Sequence, residues 1–252
     1  MREMKHDSST ISWNRLGDEW YELTQKGGSR EQFIMPHMLR YLGDVKGKQI
    51  LDLGCGEGGY ARALAKKGAD MTCVDCSTKA IRVAAELAQK AGLAIRHEIR
   101  NSNDLFGVED EAFDIVLCSM MLMDCEDLDG TLREVVRVLK RGGQLFASVL
   151  HPCFDGEHQT GIGRQDEGAE RKVLVMNYYE PREWTAPLPK GTIPVIWRHR
   201  TMEDYVKAFV RSGLTIIDLD EPRATEDEAK ASPLLAMLRR IPLFLYWRLE
   251  KR

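Results

Sequence analysis

A chain of 252 residues can bury a full core, and it suits one large α/β domain with an insertion better than two independent domains. With 36 basic against 39 acidic residues the formal charge is -3, which supplies no overall field for nucleic acid and favours a small-molecule partner. Charges scattered from Met1 to Asn14 interrupt any signal-peptide core, and no segment approaches the ~18 apolar residues of a membrane span, so a cytoplasmic chain with no membrane partner is expected.

In chain order, residues 12–24 and 31–42 read as helices rich in large apolar groups, separated by Gly27-Gly28-Ser29. Residues 1–44 then form a helical cap, with Trp20 and Tyr21 as candidate substrate contacts. An alternation follows: strand 49–53, helix 58–67, strand 70–74, helix 78–91, strand 94–99, strand 113–118, helix 128–140 and strand 144–150. Ser77 fits the N-cap and Gly92 the stop of the helix at 78–91. Continuous apolar strands between helices imply a parallel sheet covered on both faces.

The stretch 151–200 is far longer than the usual connection of roughly 2 to 6 residues, so it reads as a functional flap or a disordered segment. Its strand-like runs, 172–179 and 193–199, are joined by a proline-rich stretch bearing Trp184. They are expected to pair as a hairpin over the carboxyl edge of the sheet, where α/β ligands bind. Helix 201–212, strand 214–219 and the apolar run 242–249 close the chain.

Glycines 54, 56 and 59 satisfy G-x-G-x-x-G, and Asp75 lies about 20 residues further on, a spacing that would serve a nicotinamide or flavin dinucleotide. Asp52 and Glu57 oppose that reading, because phosphate sites use helix N-termini and cations. A ligand with an ammonium and a sulfonium would be attracted instead. The run Asp52-Leu53-Gly54-Cys55-Gly56-Glu57-Gly58 resembles motif I of the class I S-adenosylmethionine-dependent methyltransferases: an acid, one apolar residue, then G-x-G-x-G. Arg133 to Gly143 resembles the same family's approach to strand five, with Arg141 where the family usually has proline.

The resemblance implies a doubly wound, Rossmann-like α/β fold: a mainly parallel seven-stranded sheet with an antiparallel last strand. It implies a single methyltransferase domain over 1–252, with a cofactor core at 45–150, a flap at 151–200 and a closing segment at 201–252. S-adenosylmethionine is the implied cofactor. Asp75 would take both ribose hydroxyls, or else serve the cap at Ser77. Gly54, Cys55 and Gly56 would approach the amino-acid portion, and Asp52 would attract the ammonium or satisfy buried amides. Cys76 follows the ribose acid; Asn101 and Ser102 stand where the family has Asp-Ala beside adenine, with Asp104 competing. Ser119 ends strand four near the methionine part.

The six cysteines at 55, 73, 76, 118, 125 and 153 include one C-x-x-C, with no second pair and no clustered histidines. Reduced structural thiols and no metal are expected. Tyr178, Tyr179, Trp184, Trp197 and Phe154 would form an apolar cover that excludes water, or simply a packed flap. His151, ending strand five, and His199, closing the flap, are candidates to take a proton from a hydroxyl or amine, although alignment and exclusion of water can carry methyl transfer without a base.

The expected function is in-line methyl transfer to an oxygen, less readily a nitrogen, of a small molecule. RNA or protein methylation and a nicotinamide oxidoreductase are the alternatives. After strand four, Ser119-Met120-Met121-Leu122 offers no polar and aromatic clamp for a flipped base.

Overall fold

The apolar run at Gln49–Leu53 forms β1, and its neighbours on either side set the position of the site. The computed structural model describes residues 6–25, 28–154, 175, 177–188, 191–231 and 233–252. In it β1 lies between β2 (Asp70–Asp75) and β4 (Phe113–Ser119), parallel to both. Next come β3 (Ile95–Ile99) beyond β2, and β5 (Leu139–Leu150) beyond β4. The order is completed by β9 (Phe244–Lys251), which alone runs against the others, and β8 (Leu214–Asp220). The chain therefore leaves β1 toward one side and returns to it at β4. A crevice opens at the carboxyl ends where the direction reverses.

Alternation along the strands supplies two cores. Leu51, Leu53, Val116, Leu145, Ala147 and Trp247 face α6 (Leu128–Val138) and α7 (Met202–Arg211). Ile50, Ile115, Leu117, Phe146 and Tyr246 face α3 (Met35–Tyr41) and α4 (Gly59–Ala65). Both faces are buried, so the strands read as continuous apolar runs. Between β2 and β3 runs α5 (Thr78–Lys90), capped by the Ser77 side chain, which accepts from the Ala80 N–H, and followed by Gly92 at φ 66°.

Three differences from expectation bear on the site. The helix expected over 12–24 is two helices, α1 (Ser8–Leu16) and α2 (Asp18–Gln25), because Gly17 at φ 54° turns the chain between them. The helix expected over 31–42 opens as a π-helical turn, Arg30–Ile34, before α3. The expected hairpin of 172–179 with 193–199 is corrected: the strand at Pro194–His199 (β7) pairs antiparallel with Arg182–Pro187 (β6), so Trp184 sits in a strand and not in a connection. Residues 172–174 and 176 lie outside the described residues. Pro187 and Pro194 face each other at the end of this ladder, where prolines are tolerated.

Hydrogen bonds fasten α1, α2 and the hairpin over the crevice. Asn101 Nδ2 donates to Thr10 Oγ1 at 3.1 Å, and the Thr78 N–H donates to Asn14 Oδ1 at 3.2 Å. From the hairpin, the Ile196 N–H donates to Ser12 Oγ at 2.9 Å, while the Thr192 and Ile193 N–H groups donate to the Glu19 carboxylate. Arg198 Nη1 reaches the Asp124 carbonyl at 2.6 Å, tying β7 to the loop after β4.

Candidate cofactor and active site

Beneath this roof lies a cavity of about 620 Å³, within the size range of small-molecule sites. Its wall brings together all nine residues expected to meet a cofactor: Asp52, Gly54, Cys55, Gly56, Asp75, Cys76, Asn101, Ser102 and Ser119. The turn after β1 is pinned by the Gly54 and Cys55 N–H groups, both donating to the Val74 carbonyl. Gly54 and Gly56 lie at φ 74° and 56°, a region that suits glycine. A Cβ on Gly56 would sit 3.0 Å from Trp20 Nε1, and one on Gly54 would sit 2.7 Å from Met121 Cβ. Bare backbone thus faces the cavity.

Asp75 is held by its own loop. One carboxylate oxygen accepts the Gly56 N–H at 2.9 Å and the other accepts the Ser77 N–H at 2.8 Å. Burial raises its pKa, and these backbone donors oppose the rise. Asn101, also buried, spends its amide on Thr10 and accepts the Asn103 N–H at 3.3 Å. Ser102 Oγ meets Thr131 Oγ1 at 2.8 Å. Ser119 Oγ meets the Tyr60 hydroxyl at 3.0 Å and Ser148 Oγ at 3.2 Å. Directly after it, Met120 takes φ 57°, uncommon for a side-chain-bearing residue, at the cavity wall.

The acids of the glycine turn play different parts. Glu57 is buried and neutralised: its carboxylate meets Arg30 Nη1 at 2.5 Å and Arg62 Nη2 at 3.2 Å. It anchors two guanidinium groups and is not the open negative charge that its place in the motif suggested. Asp52 is 1% exposed, and its Oδ2 has no hydrogen-bond partner among the described residues. Burial pushes its pKa up to about 7, against the pull of the nearby Arg30 and the Ala61 N–H. Arg30 also lines the cavity. An orphaned carboxylate beside a guanidinium is a donor set that fits the ammonium and carboxylate of an amino-acid group.

That titration carries a pH dependence. Below pH about 7 Asp52 is protonated and loses its attraction for a cation, so affinity for an amino-acid ligand should rise roughly tenfold from pH 6 to 8, following the ionised fraction. Calorimetric titration with S-adenosylhomocysteine across that range measures it. A flat profile removes Asp52 from ligand recognition.

Of the expected substrate contacts, Trp20 and Trp197 line the cavity, whereas Tyr21, Tyr178, Tyr179 and Trp184 lie outside its wall. Tyr178 accepts the Met202 N–H through its hydroxyl at 2.8 Å. Tyr179 is 81% exposed. Trp184 stacks on Trp197 with centroids 6.3 Å apart.

Both candidate histidines are also outside the wall. The His151 N–H bonds to the Leu243 carbonyl, turning the chain toward that side. Its ring accepts the Cys153 N–H at Nδ1, 3.1 Å away, and directs Nε2 at Glu221 Oε1, 2.9 Å away. Burial lowers its pKa while Glu221 pulls the other way, and both ring nitrogens are engaged. His199 Nε2 lies 2.8 Å from the Tyr178 carbonyl. The cavity instead presents Trp13, Arg30, Tyr60 and Asp124, which sequence reasoning did not single out. The six cysteines are unpaired.

A Rossmann-like sheet with a glycine turn after β1 and an acid at the end of β2 is the architecture of the class I methyltransferase fold. Residues 51–147 match the methyltransferase-domain family. Over 151 residues the chain is 28% identical to the ubiquinone biosynthesis O-methyltransferase of Xanthomonas oryzae pv. oryzae, covering 58% of this chain and 62% of that one. A protein of the same name from Coxiella burnetii is 33% identical over 135 residues, 52% of this chain and 57% of its own length. The chain thus spans less than two thirds of these relatives. An S-adenosylmethionine-dependent methyltransferase from Mesorhizobium loti superposes with a TM-score of 0.73 at 28% identity, over 86% of this chain and 96% of that one. Residues 51–147 therefore carry a methyltransferase domain, and the chain is similar in fold to S-adenosylmethionine-dependent methyltransferases.

Proposed function

We propose that the protein transfers the methyl group of S-adenosylmethionine to an oxygen, less readily a nitrogen, of a small-molecule acceptor. The observation that carries this reading is the orphaned Asp52 carboxylate, buried beside Arg30 at the glycine turn in the cavity wall. The donor, when bound, would supply an electrophilic methyl carbon on a sulfonium with a neutral thioether as leaving group, and the acceptor's proton would pass to solvent. Asp75 would hold the ribose, Asn101 and Ser102 would flank the base, and Asp52 and Arg30 would hold the amino-acid end. Gly54 and Gly56 let Met121 and Trp20 pack directly against the turn.

In this reading residues 1–44 cap the core at 45–150, residues 151–200 act as the flap, and 201–252 complete the sheet. Trp20 and Trp197 exclude water from the reacting atoms. The names of the curated relatives support oxygen as the acceptor atom. No helix among the described residues is long and apolar enough to cross a membrane; with the balanced charge, this supports a cytoplasmic enzyme acting on a soluble metabolite.

Calorimetry with S-adenosylhomocysteine and, separately, with NAD tests the reading. One-to-one binding of the first and none of the second is expected. Failure of a folded sample to bind S-adenosylhomocysteine overturns it.

A further inference from the structure

Most carboxylates in the cavity wall are already committed. Asp7 caps α1 through the Thr10 N–H at 2.8 Å, and Asp127 caps α6 through the Gly130 N–H at 2.7 Å. Glu126 takes the Ser8 N–H at 2.8 Å, and Glu31 pairs with Arg30 at 3.3 Å. Asp75 holds the glycine turn. Asp124 differs: its carboxylate accepts no hydrogen bond from the described residues, although the residue is fixed through its main chain, whose carbonyl accepts from Ser9 Oγ at 2.6 Å and from Arg198.

The two cations nearest Asp124 are spent elsewhere. Arg198 pairs with Glu183 at 3.0 Å and donates to Ser8 and Ser9. Arg200 donates to the carbonyls of Leu122, Met123 and Cys125. Burial raises the Asp124 pKa to about 7 despite both of them. Trp13, Trp20 and Trp197 share the cavity with it, Trp13 and Trp20 meeting edge to face at 5.6 Å. Seven carboxylates stand in this wall against the guanidinium groups of Arg30 and Arg100.

We propose that Asp124 selects the methyl acceptor. Its carboxylate accepts the hydrogen of a hydroxyl or amine carried on a flat aromatic body held among Trp13, Trp20 and Trp197, and the same wall rejects acceptors bearing a carboxylate or phosphate. An unpaired acceptor in the cavity wall penalises any ligand that covers it without bringing a donor, and like charge penalises anions further. Indole faces suit a planar partner. This rests on the methyl-transfer reading.

The test uses full-length protein saturated with S-adenosylhomocysteine and titrated with 2-naphthol and with its anionic counterpart, 6-hydroxy-2-naphthoate. The wild type should bind 2-naphthol at least about tenfold more tightly than the anion. Asp124→Asn should reduce that preference severalfold while changing S-adenosylhomocysteine affinity by less than about twofold. The proposal is overturned if the variant keeps the wild-type preference, if the saturated wild type prefers the anion, or if it binds neither compound. A wild type that takes no S-adenosylhomocysteine sinks the methyl-transfer reading itself, whereas normal uptake without naphthol selection sinks only the role of Asp124.

Discussion

Asp75→Ala should weaken S-adenosylhomocysteine binding by on the order of a hundredfold, because hydrogen bonds to a charged acceptor contribute about 1.5–3 kcal/mol each and two ribose hydroxyls would be lost. The carboxylate is positioned before any ligand arrives: Gly56 and Ser77 each occupy one oxygen through a backbone N–H, leaving further lone pairs free. Removing it also frees those two amides, so a drop of about 1–3 kcal/mol in folding stability should accompany the loss of affinity. Asp75→Asn, which keeps one acceptor oxygen, should fall between. Calorimetry for binding and urea unfolding for stability separate the two effects. An alanine variant with wild-type affinity would remove Asp75 from the cofactor site.

Arg30→Leu should destabilise the fold by about 3 kcal/mol, since removal of one partner of a buried pair leaves the other charge uncompensated. Glu57 is 4% exposed and keeps only the longer contact to Arg62 when Arg30 is gone. The same variant should lose affinity for the amino-acid end of the cofactor. Pairing it with Glu57→Gln distinguishes these consequences: the double variant should recover most of the stability and none of the affinity. Recovery of both would show that Arg30 acts only through Glu57. No loss of stability in the single variant would contradict the burial of the pair.

The strand-end part of the cavity wall was legible because each contributing segment follows a strand. Asp52, Asp75, Asn101 and Ser119 lie at the ends of β1, β2, β3 and β4, and a parallel sheet collects such ends on one edge whatever the details of packing. Gly54 and Gly56 were legible because a positive φ and a close approach both favour glycine. His151 also ends a strand, but its N–H is captured by Leu243, some 90 residues away, and it lies outside the cavity wall. Glu57 read as an open charge because its partner Arg30 lies 27 residues earlier, in a turn with no motif of its own. The strand at 182–187 was obscured by proline, and Asp124 sits in an irregular loop whose orientation is set by Ser9 and Arg198. Periodicity reports elements, while long-range pairing decides which side chains meet.

The placement of β9 between β5 and β8 has a consequence for synthesis on the ribosome. β8 is translated more than 20 residues before β9, yet in the finished sheet it hydrogen-bonds to β9 and to no other strand. Until β9 emerges, β5 and β8 both present open edges, and the apolar surface that Trp247 later covers on Tyr205 and Phe209 stays wet. Such a species invites strand addition from neighbouring chains. A released chain truncated between residues 221 and 243 should therefore be a preferred client for chaperones that shield unpaired strands, and the last insertion into the sheet is the natural candidate for the slow step of maturation.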